Sequence, residues 1–365
     1  MNSPKKVLFI GYGIDKKRKE AVSINTLKLM ETLSSLGIKN ELINIGYKEH
    51  KAQLSIELSM KGALLKHKLI QNKLKQYISL HQFTHVHDLF VLPGASSFFT
   101  IPLIKSFPNV IFIKEIHNDY GYSHKAHSET ILRFIFNSKY YFNKTVNSFN
   151  KIVTRNFYLS KKYNFIYLPV GIKSQKLQKH SFNNTISICY LGHPLYKKGV
   201  FEFLQLMDEL PQHLKSKIRF NFAFSNIGSR HKLESLLRQK ANKNNISVNF
   251  FGLVKPQAFF EKNDIFILPL HDEFGSVSTP NTVLEAMNAG TLVIVTKVRT
   301  LEGILKDKEN GIFLSTPNAK NIVKSIEYLL SNVNKWNQMR DNAEKTVREN
   351  FSEQRLIEEI KYFYD

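Results

Sequence analysis

FGSVSTPNTVLEAMNAGTLVIVT, residues 274–296, joins a polar loop, a short apolar helix and a purely β run with almost nothing between them. Ser278, Thr279 and Asn281 can cap a helix, and Pro280 suits its first position, where a missing N–H costs nothing. VLEAM continues as helix, Gly290 stops it, and TLVIVT has the unalternating apolarity of a strand buried on both faces. Such a strand belongs in a parallel sheet with helices on both sides. The N–H groups of the helix start can hold a phosphate. Glu285, one turn further in, can accept two hydrogen bonds from a ribose diol. A capped core helix with a solvated or dipole-paired glutamate is the simpler use of the same residues.

The alternation runs through the whole chain. In the first half VLFIGYG (7–13), NELINIGY (40–47), THVHDLFVL (84–92), NVIFIKEIHND (109–119), KIVT (151–154) and FIYLPVG (165–171) read as strands, the third and fourth running into polar loops. SINTLKLMETLSSLG (23–37), the long run 52–80 and SETILRFIFNSKYYFNKTVNSF (128–149) read as helices. The second half restarts with strands TISICYLG (185–192), IRFNFAF (218–224), SVNFFG (247–252) and DIFILPL (264–270), separated by helices, and closes with three helical segments. The polar stretch 168–185 links the halves. The expectation is an α/β chain of two doubly wound Rossmann-like domains facing across a cleft, residues 1–172 and 173–345, with a helix at 346–365 crossing back to the first. Ligands then sit at the carboxyl ends of the strands.

With 365 residues and 42% hydrophobic content the chain has material for two conventional cores. Its single cysteine, Cys189, lies in an apolar strand, cannot form an internal disulfide, and fits a reduced, cytoplasmic setting. MNSPKKVLFIGYGIDKKRKE imitates a signal peptide, but its apolar run is short and ends in glycine, aspartate and cations; it reads as a first buried strand. No apolar run is long enough to span a bilayer. The net charge of +22 is uneven, since 28 of the 52 Lys+Arg but 10 of the 30 Asp+Glu fall in residues 1–180. That asymmetry points to an anionic partner for the first half, such as a membrane surface, a phosphorylated substrate or nucleic acid; a lysine-rich composition is the plainer source of the total.

Dedicated cofactor motifs are missing. GYGIDK (11–16) begins as a dinucleotide fingerprint, but Lys16 stands at its third glycine. There is no GxxxxGK[ST] loop, no GxSxG elbow and no Asp-x-Asp pair to hold a divalent cation on a nucleotide diphosphate. His85 and His87 share one face of a strand but lack a third ligand for zinc, so neither metal nor cofactor is expected. In GHPLYKKG (192–199), Lys197 and Lys198 precede Gly199 and a helix. An ammonium beside a helix start suits a diphosphate, although a solvated lysine is as ordinary an outcome.

LPVG (168–171), YLGHPLYKKG (190–199), VNFFGLV (248–254), DIFILPL, STPNTVLEAMNAGTLVIVT and ENGIFL (309–314) occur in the order and rough spacing of GT-B glycosyltransferases. More closely, they resemble the retaining enzymes of glycosyltransferase family 4. The IGYG loop, THVHD and VIFIKEIHND carry the resemblance in the first half, and VRENFSEQRLIEEIKYFY (347–364) is similar to the family's crossing-back helix. The resemblance implies that Glu285 holds the donor ribose, Lys198 neutralises the donor diphosphate and His117 lies near the transferred sugar. It further implies donor contacts from Gly192, His193, Lys197, Ser278, Thr279 and Thr282, with backbone N–H groups offered by the helix start at Pro280 and Asn281. Gly11, Gly13, Lys16 and Lys17 fall on the acceptor side. Two positions depart from the family. The acid eight residues before Glu285 is Val277 here, leaving Asp272 or Glu273 to supply a carboxylate, and the arginine after the first glycine is replaced by His193.

The implied reaction moves a sugar from a nucleotide diphosphate sugar to an acceptor hydroxyl with retention, metal-independently, by front-face attack, in cell-surface polysaccharide, lipopolysaccharide or glycolipid synthesis. Lys61, Lys66, Lys68, Lys73 and Lys75, with the aromatic–basic run 133–144, suit an anionic membrane face. A glycan or lipid-linked acceptor and a cytoplasmic, peripheral-membrane location follow from that reading. A nucleotide-sugar epimerase of the same fold is the alternative enzyme, and a basic nucleic-acid-binding protein the alternative without catalysis. No nucleic-acid motif is present, so nucleic acid is not expected as a partner.

Overall fold

The computed structural model describes residues 4–14, 21–46, 52–117, 135–173, 185–225, 230–271 and 280–364. The chain divides into two compact units, Met1–Val170 with Leu356–Asp365, and Gly171–Arg355.

The first unit is built on a parallel sheet of seven strands in the order β3-β2-β1-β4-β5-β6-β7. These are β1 (Lys6–Tyr12), β2 (Lys39–Ile45), β3 (Leu54–Ile56), β4 (His85–Asp88), β5 (Ile111–Glu115), β6 (Lys151–Thr154) and β7 (Ile166–Tyr167). Both faces are covered, which is why these strands read as apolar runs. On one face Val7, Phe9, Ile113 and Val153 pack with Leu33 and with Leu356, Ile360, Phe363 and Tyr364. The last four stand at helical spacing along or just past helix Glu353–Phe363, so one stripe of that helix closes the core. On the other face Leu8, Ile10, Val86 and Phe112 pack against Ile70, Leu74 and Ile78 of helix His67–His81.

The second unit holds a parallel sheet of six strands, β10-β9-β8-β11-β12-β13. They are β8 (Ile186–Gly192), β9 (Ile218–Phe224), β10 (Ser247–Phe251), β11 (Ile265–Leu268), β12 (Leu292–Thr296) and β13 (Ile312–Leu314). TLVIVT is thus a central strand, buried along its whole length. In each sheet the strand order reverses once, between β1 and β4 and between β8 and β11. The carboxyl ends there open into crevices where doubly wound folds bind ligands.

Several elements differ from the sequence expectation. Run 52–80 is not one helix. Leu54–Ile56 adds an edge strand to β2, Ser59 restarts the chain by accepting from Gly62 N–H at 3.1 Å, and a break at Lys66 separates helix Met60–Leu65 from His67–His81. Strand 84–92 stops at Asp88, whose carboxylate accepts from Phe90 N–H at 2.9 Å and turns the chain out of the sheet. The following segment is not a polar loop but holds two short helices, Pro93–Phe99 and Ile101–Ile104. Helix Phe157–Tyr163 was not expected; Asn156 caps it by accepting from Leu159 N–H at 3.3 Å. The final segment contains helices Val333–Asn350 and Glu353–Phe363, separated at Phe351 and Ser352, where Ser352 bridges to Ile172. The expected linker residues 174–184 lie outside the described residues.

Candidate functional site

The crevice of the second sheet is made by the loops after β8 and β11. Beyond Gly192 the chain turns tightly, Leu195 N–H donating to His193 O at 2.8 Å, then makes a single 3-10 turn, Tyr196–Lys198, and leaves it through Gly199 at φ +72°. The expected helix begins only at Glu202 (Glu202–Glu209), so Lys197 and Lys198 belong to a tight turn ahead of the helix and not to its first turn. Glycine here is compulsory twice over. Its φ is left-handed, and a Cβ would stand 1.8 Å from the Pro269 carbonyl oxygen at the end of β11. That approach draws the two loops together. His271 N–H donates to Lys197 O at 3.2 Å, and its imidazole stacks on Tyr196 at 4.3 Å with 14° between planes. Its Nε2 lies 3.0 Å from Glu202 Oε1.

Lys198 is half-buried in this turn, and desolvation pulls its ammonium pKa down to about 8. A lysine held where its own charge is poorly solvated gains most when an anion arrives. His193 is tied to the end of β9, its Nδ1 lying 2.5 Å from Ser225 Oγ. Its carbonyl accepts from the buried Tyr190 hydroxyl at 2.8 Å.

Helix Asn281–Asn288 follows β11 and leads into β12. Pro280 stands one place earlier than expected, at the N-cap, where it offers no side-chain capping hydrogen bond. Proline has no N–H, so any anion held at this start is held by the amides that follow it, and the expected donation from Pro280 does not arise. Val283, Leu284, Ala286 and Met287 pack inward, whereas Glu285 is half-buried and Asn281 and Thr282 lie at the rim. Asn288 anchors the far end, donating to Lys173 O at 3.0 Å. Asp272, Glu273, Val277, Ser278 and Thr279 lie outside the described residues, as do Lys16 and Lys17.

In the first unit the two residues that follow β1, Gly13 and Ile14, are pinned to β2. Gly13, at φ +69°, donates to Ile45 O at 2.8 Å. Asn44 clamps Ile14 through both backbone groups, accepting at 3.0 Å and donating at 2.9 Å. At Gly11 a Cβ would meet Ile14 Cγ1 at 2.7 Å, so Ile14 is packed onto its own strand.

His117, two residues past β5, is 2% exposed and stands beside a set of buried charges that the sequence did not single out. Lys114 and Glu115 point to opposite faces of the strand, as strand geometry requires, and each has its own counter-charge. Lys114 Nζ donates to Asp88 Oδ1 at 2.7 Å and to the Phe90 carbonyl. Arg155 Nε donates to Glu115 Oε1 at 3.0 Å, and Arg155 Nη1 to Pro169 O at 2.9 Å. Burial works against ionising Glu115, but Arg155 and the neighbouring imidazoles outweigh it and hold the carboxyl at about 2. Burial pushes His117 down to about 4 and His87 to about 3, so both are neutral at pH 7. The paired cations and anions resolve the desolvation that isolated charges would suffer. His85 and His87, weighed in the sequence as zinc ligands, instead pack against Tyr364. Among the described residues no three His, Cys, Asp or Glu side chains group as a metal set. KE inside the apolar VIFIKEIH requires buried counter-charges, but nothing local in the sequence says which residues supply them.

Residues 172–346 match the family model Glycosyl transferases group 1. An uncharacterised glycosyltransferase of Methanocaldococcus jannaschii is 26% identical over 251 residues, covering 66% of this chain and 62% of that protein. The capsular polysaccharide biosynthesis glycosyltransferase CapM of Staphylococcus aureus is 26% identical over 223 residues, covering 59% of this chain and 56% of CapM. The chain thus spans less than two thirds of the length of these relatives. Among solved structures, Anabaena HepE in complex with UDP and glucose superposes with a TM-score of 0.71 at 12% identity, over 98% of this chain and 99% of HepE. The two parallel sheets, each with one reversal of strand order, give the chain the GT-B fold, and its residues 172–346, nearly all of the second unit, match Glycosyl transferases group 1.

Proposed function

We propose that this protein transfers a sugar from a nucleoside diphosphate sugar to an acceptor hydroxyl, with retention at the anomeric carbon. The observation that carries the reading is Lys198, a poorly solvated ammonium in the crevice loop of the family-matched unit. In the reaction the bond from the anomeric carbon to the diphosphate breaks and a bond to the acceptor oxygen forms on the same face. The acceptor proton passes to the departing phosphate oxygen. Negative charge grows on the diphosphate as the bond breaks, and a preorganised cation stabilises it without reorganisation. Glu285, in the helix that follows β11, holds the donor ribose diol, and the first-turn amides from Asn281 onward face the diphosphate. Asp272 or Glu273 supplies the remaining acid. His117, Gly11 and Gly13 serve the acceptor side, with Lys16 and Lys17. The complex of HepE with UDP supports UDP as the first donor base to try, and the name of CapM supports a surface-polysaccharide acceptor.

Thermal unfolding with UDP, GDP, ADP and CMP tests the donor site. A nucleotide at 100 times its dissociation constant adds about 2.7 kcal/mol, a rise of several degrees. One nucleotide is expected to give that rise in the wild type and not in Glu285→Gln. Equal behaviour with all four, or no rise at all, rules the donor site out.

The acceptor reading extends to a membrane face. Helices Met60–Leu65 and His67–His81 expose Leu65, Leu69 and Leu80 at 78, 54 and 71% beside the exposed Lys66, Lys68 and Lys73. Exposed leucines interspersed with exposed lysines on these two helices suit an anionic bilayer, each lysine adding about 1 kcal/mol near its surface. No helix of the described residues is long and apolar enough to cross a membrane. Sedimentation with phosphatidylglycerol vesicles should show binding that falls with salt and weakens in Leu65→Ser/Leu69→Ser. Phosphatidylcholine vesicles should not bind, and equal binding to both kinds, or to neither, removes the membrane from the proposal.

A further inference from the structure

We propose that the outer faces of helices Lys139–Ser148 and Phe157–Tyr163 form a binding surface for an acidic polysaccharide, and that the acceptor is a glycan of this class. The inference rests on the reading of the first unit, to which both helices belong, as the acceptor side.

Residues 130–201 contain twelve lysines and arginines and not one aspartate or glutamate, where the chain's average would place about six. Both helices come from this stretch. The first buries Phe142 and Thr145, and helical spacing then puts Tyr140, Asn143, Lys144 and Asn147 together on its exposed side. The second buries Leu159 and Ser160 and exposes Lys161 and Lys162. Phe142 and Leu159 share one apolar cluster with Ile116, and Phe142 meets Tyr163 at 5.1 Å between ring centroids, so the helices are neighbours. Lys161 is held without being neutralised. Its Nζ stands 5.3 Å from the centre of the Phe157 ring, and Lys162 Nζ stands 5.1 Å from that of Tyr163. A ring face orients an ammonium through its quadrupole and leaves the net charge for an anion arriving from outside. Among the described residues neither Lys144 nor Lys161 has an ion-pair partner.

A surface that grips neutral sugars needs carboxylates, because sugar hydroxyls donate and an ionised acid is the strongest acceptor a side chain offers. This surface presents ammonium, phenol and amide groups and no carboxylate, so its ligand brings the negative charge itself. Asn143 and Asn147 stand one turn apart, and each amide can both donate to and accept from hydroxyls. Tyr140, 67% exposed, offers a ring face to the apolar side of a pyranose. A bilayer fits less well. Tyr140 is the only one of the exposed large apolar side chains that lies on these two helices, and insertion needs an apolar face.

Titration calorimetry of the full chain with polygalacturonate, a carboxylated polysaccharide, tests the surface without any donor. The wild type is expected to bind it, more weakly as salt rises, to ignore neutral dextran, and to prefer it to polyglutamate of equal charge. Lys144→Gln/Lys161→Gln should weaken that binding about fivefold, the scale of two exposed ion pairs. Lys68→Gln/Lys73→Gln removes the same charge from helix His67–His81 and should leave polygalacturonate binding unchanged. Tyr140→Ala should weaken binding of polygalacturonate but not of polyglutamate. All five substitutions fall on exposed side chains, so the fold is kept. Absence of polygalacturonate binding, equal losses in the two lysine pairs, or binding to polyglutamate or polyuridylate RNA at least as tight overturns the proposal. So does a Lys144→Gln/Lys161→Gln protein that loses phosphatidylglycerol vesicles and keeps polygalacturonate. Stabilisation by nucleotide, measured separately on the same proteins, tests the transferase reading, so one can fail without the other.

Discussion

Gly199→Ala is expected to unfold the second unit or to lower its stability by more than about 3 kcal/mol. A residue with a Cβ in left-handed backbone costs roughly 1–2 kcal/mol by itself. At φ +72° that cost applies, and the new methyl would also fall 1.8 Å from Pro269 O and 2.6 Å from Pro269 C. No side-chain rotation relieves an overlap with backbone. Either the 3-10 turn or the end of β11 has to move, and those are the two loops that form the crevice. Trp336, the only tryptophan of the sequence, is 1% exposed in helix Val333–Asn350 of this unit, so its fluorescence follows this unfolding specifically. Gly37→Ala is the control. Gly37 has the same backbone hand, φ +75°, but open space where its Cβ would lie, and it belongs to the first unit. It should cost about 1 kcal/mol there and leave the Trp336 transition where it was. A Trp336 transition in Gly199→Ala within a degree of wild type would mean that the two loops are not held together through this contact.

The parallel sheets were legible because strands buried on both faces need no alternation to be recognised. ISICYLG and LVIVT cannot be anything else in a chain of this length. Run 52–80 was misread because Leu54–Ile56 is a three-residue edge strand inside a helical periodicity, and only its pairing with Ile43–Ile45 distinguishes it. LPGASSFFTIPLIKSF contains the glycine and prolines of a loop, yet its prolines stand in the first turns of two helices, where they are tolerated. The turn after β8 was foreshadowed by its glycines and lysines, which are local in sequence. The buried cluster under His117 was not. Glu115 meets Arg155 across 40 residues and His87 meets Tyr364 across 277, and no local pattern announces partners that only the folded sheet brings together. The place of Lys198 on a 3-10 turn was hidden for a different reason. It depends on Gly199 touching a backbone carbonyl 70 residues later, and a strand-to-helix reading supplies no such contact.

Lys198→Met is expected to make the free protein more stable and to deprive it of the diphosphate site proposed for it. The folded state holds the Lys198 pKa at about 8 against an ordinary 10.5, the cause being burial. Between those values the unfolded chain binds more protons than the folded one, so stability rises with pH across that window. Below about pH 8 the ammonium is charged in both states and the folded protein bears the full desolvation cost. Methionine keeps the stem and removes the charge. Allowing for the solvent that still reaches a half-buried side chain, the gain at pH 7 is roughly 2 kcal/mol, and it should vanish above pH 10.5. Bound diphosphate reverses the balance, because it favours the protonated lysine. Nucleotide binding by wild type at pH 9 should therefore take up close to one proton, visible in calorimetry as a heat that depends on the buffer's ionisation enthalpy. At pH 6.5 the uptake through Lys198 should be absent, and Lys198→Met should lack it at every pH. Turnover in the variant should fall about 10²–10³-fold, the usual loss when a group stabilising developing charge is removed. A destabilised Lys198→Met protein that still bound nucleotide with unchanged proton uptake would place the diphosphate elsewhere. A stabilised protein without nucleotide affinity would identify a side chain kept in an unfavourable place for the sake of the anion it meets.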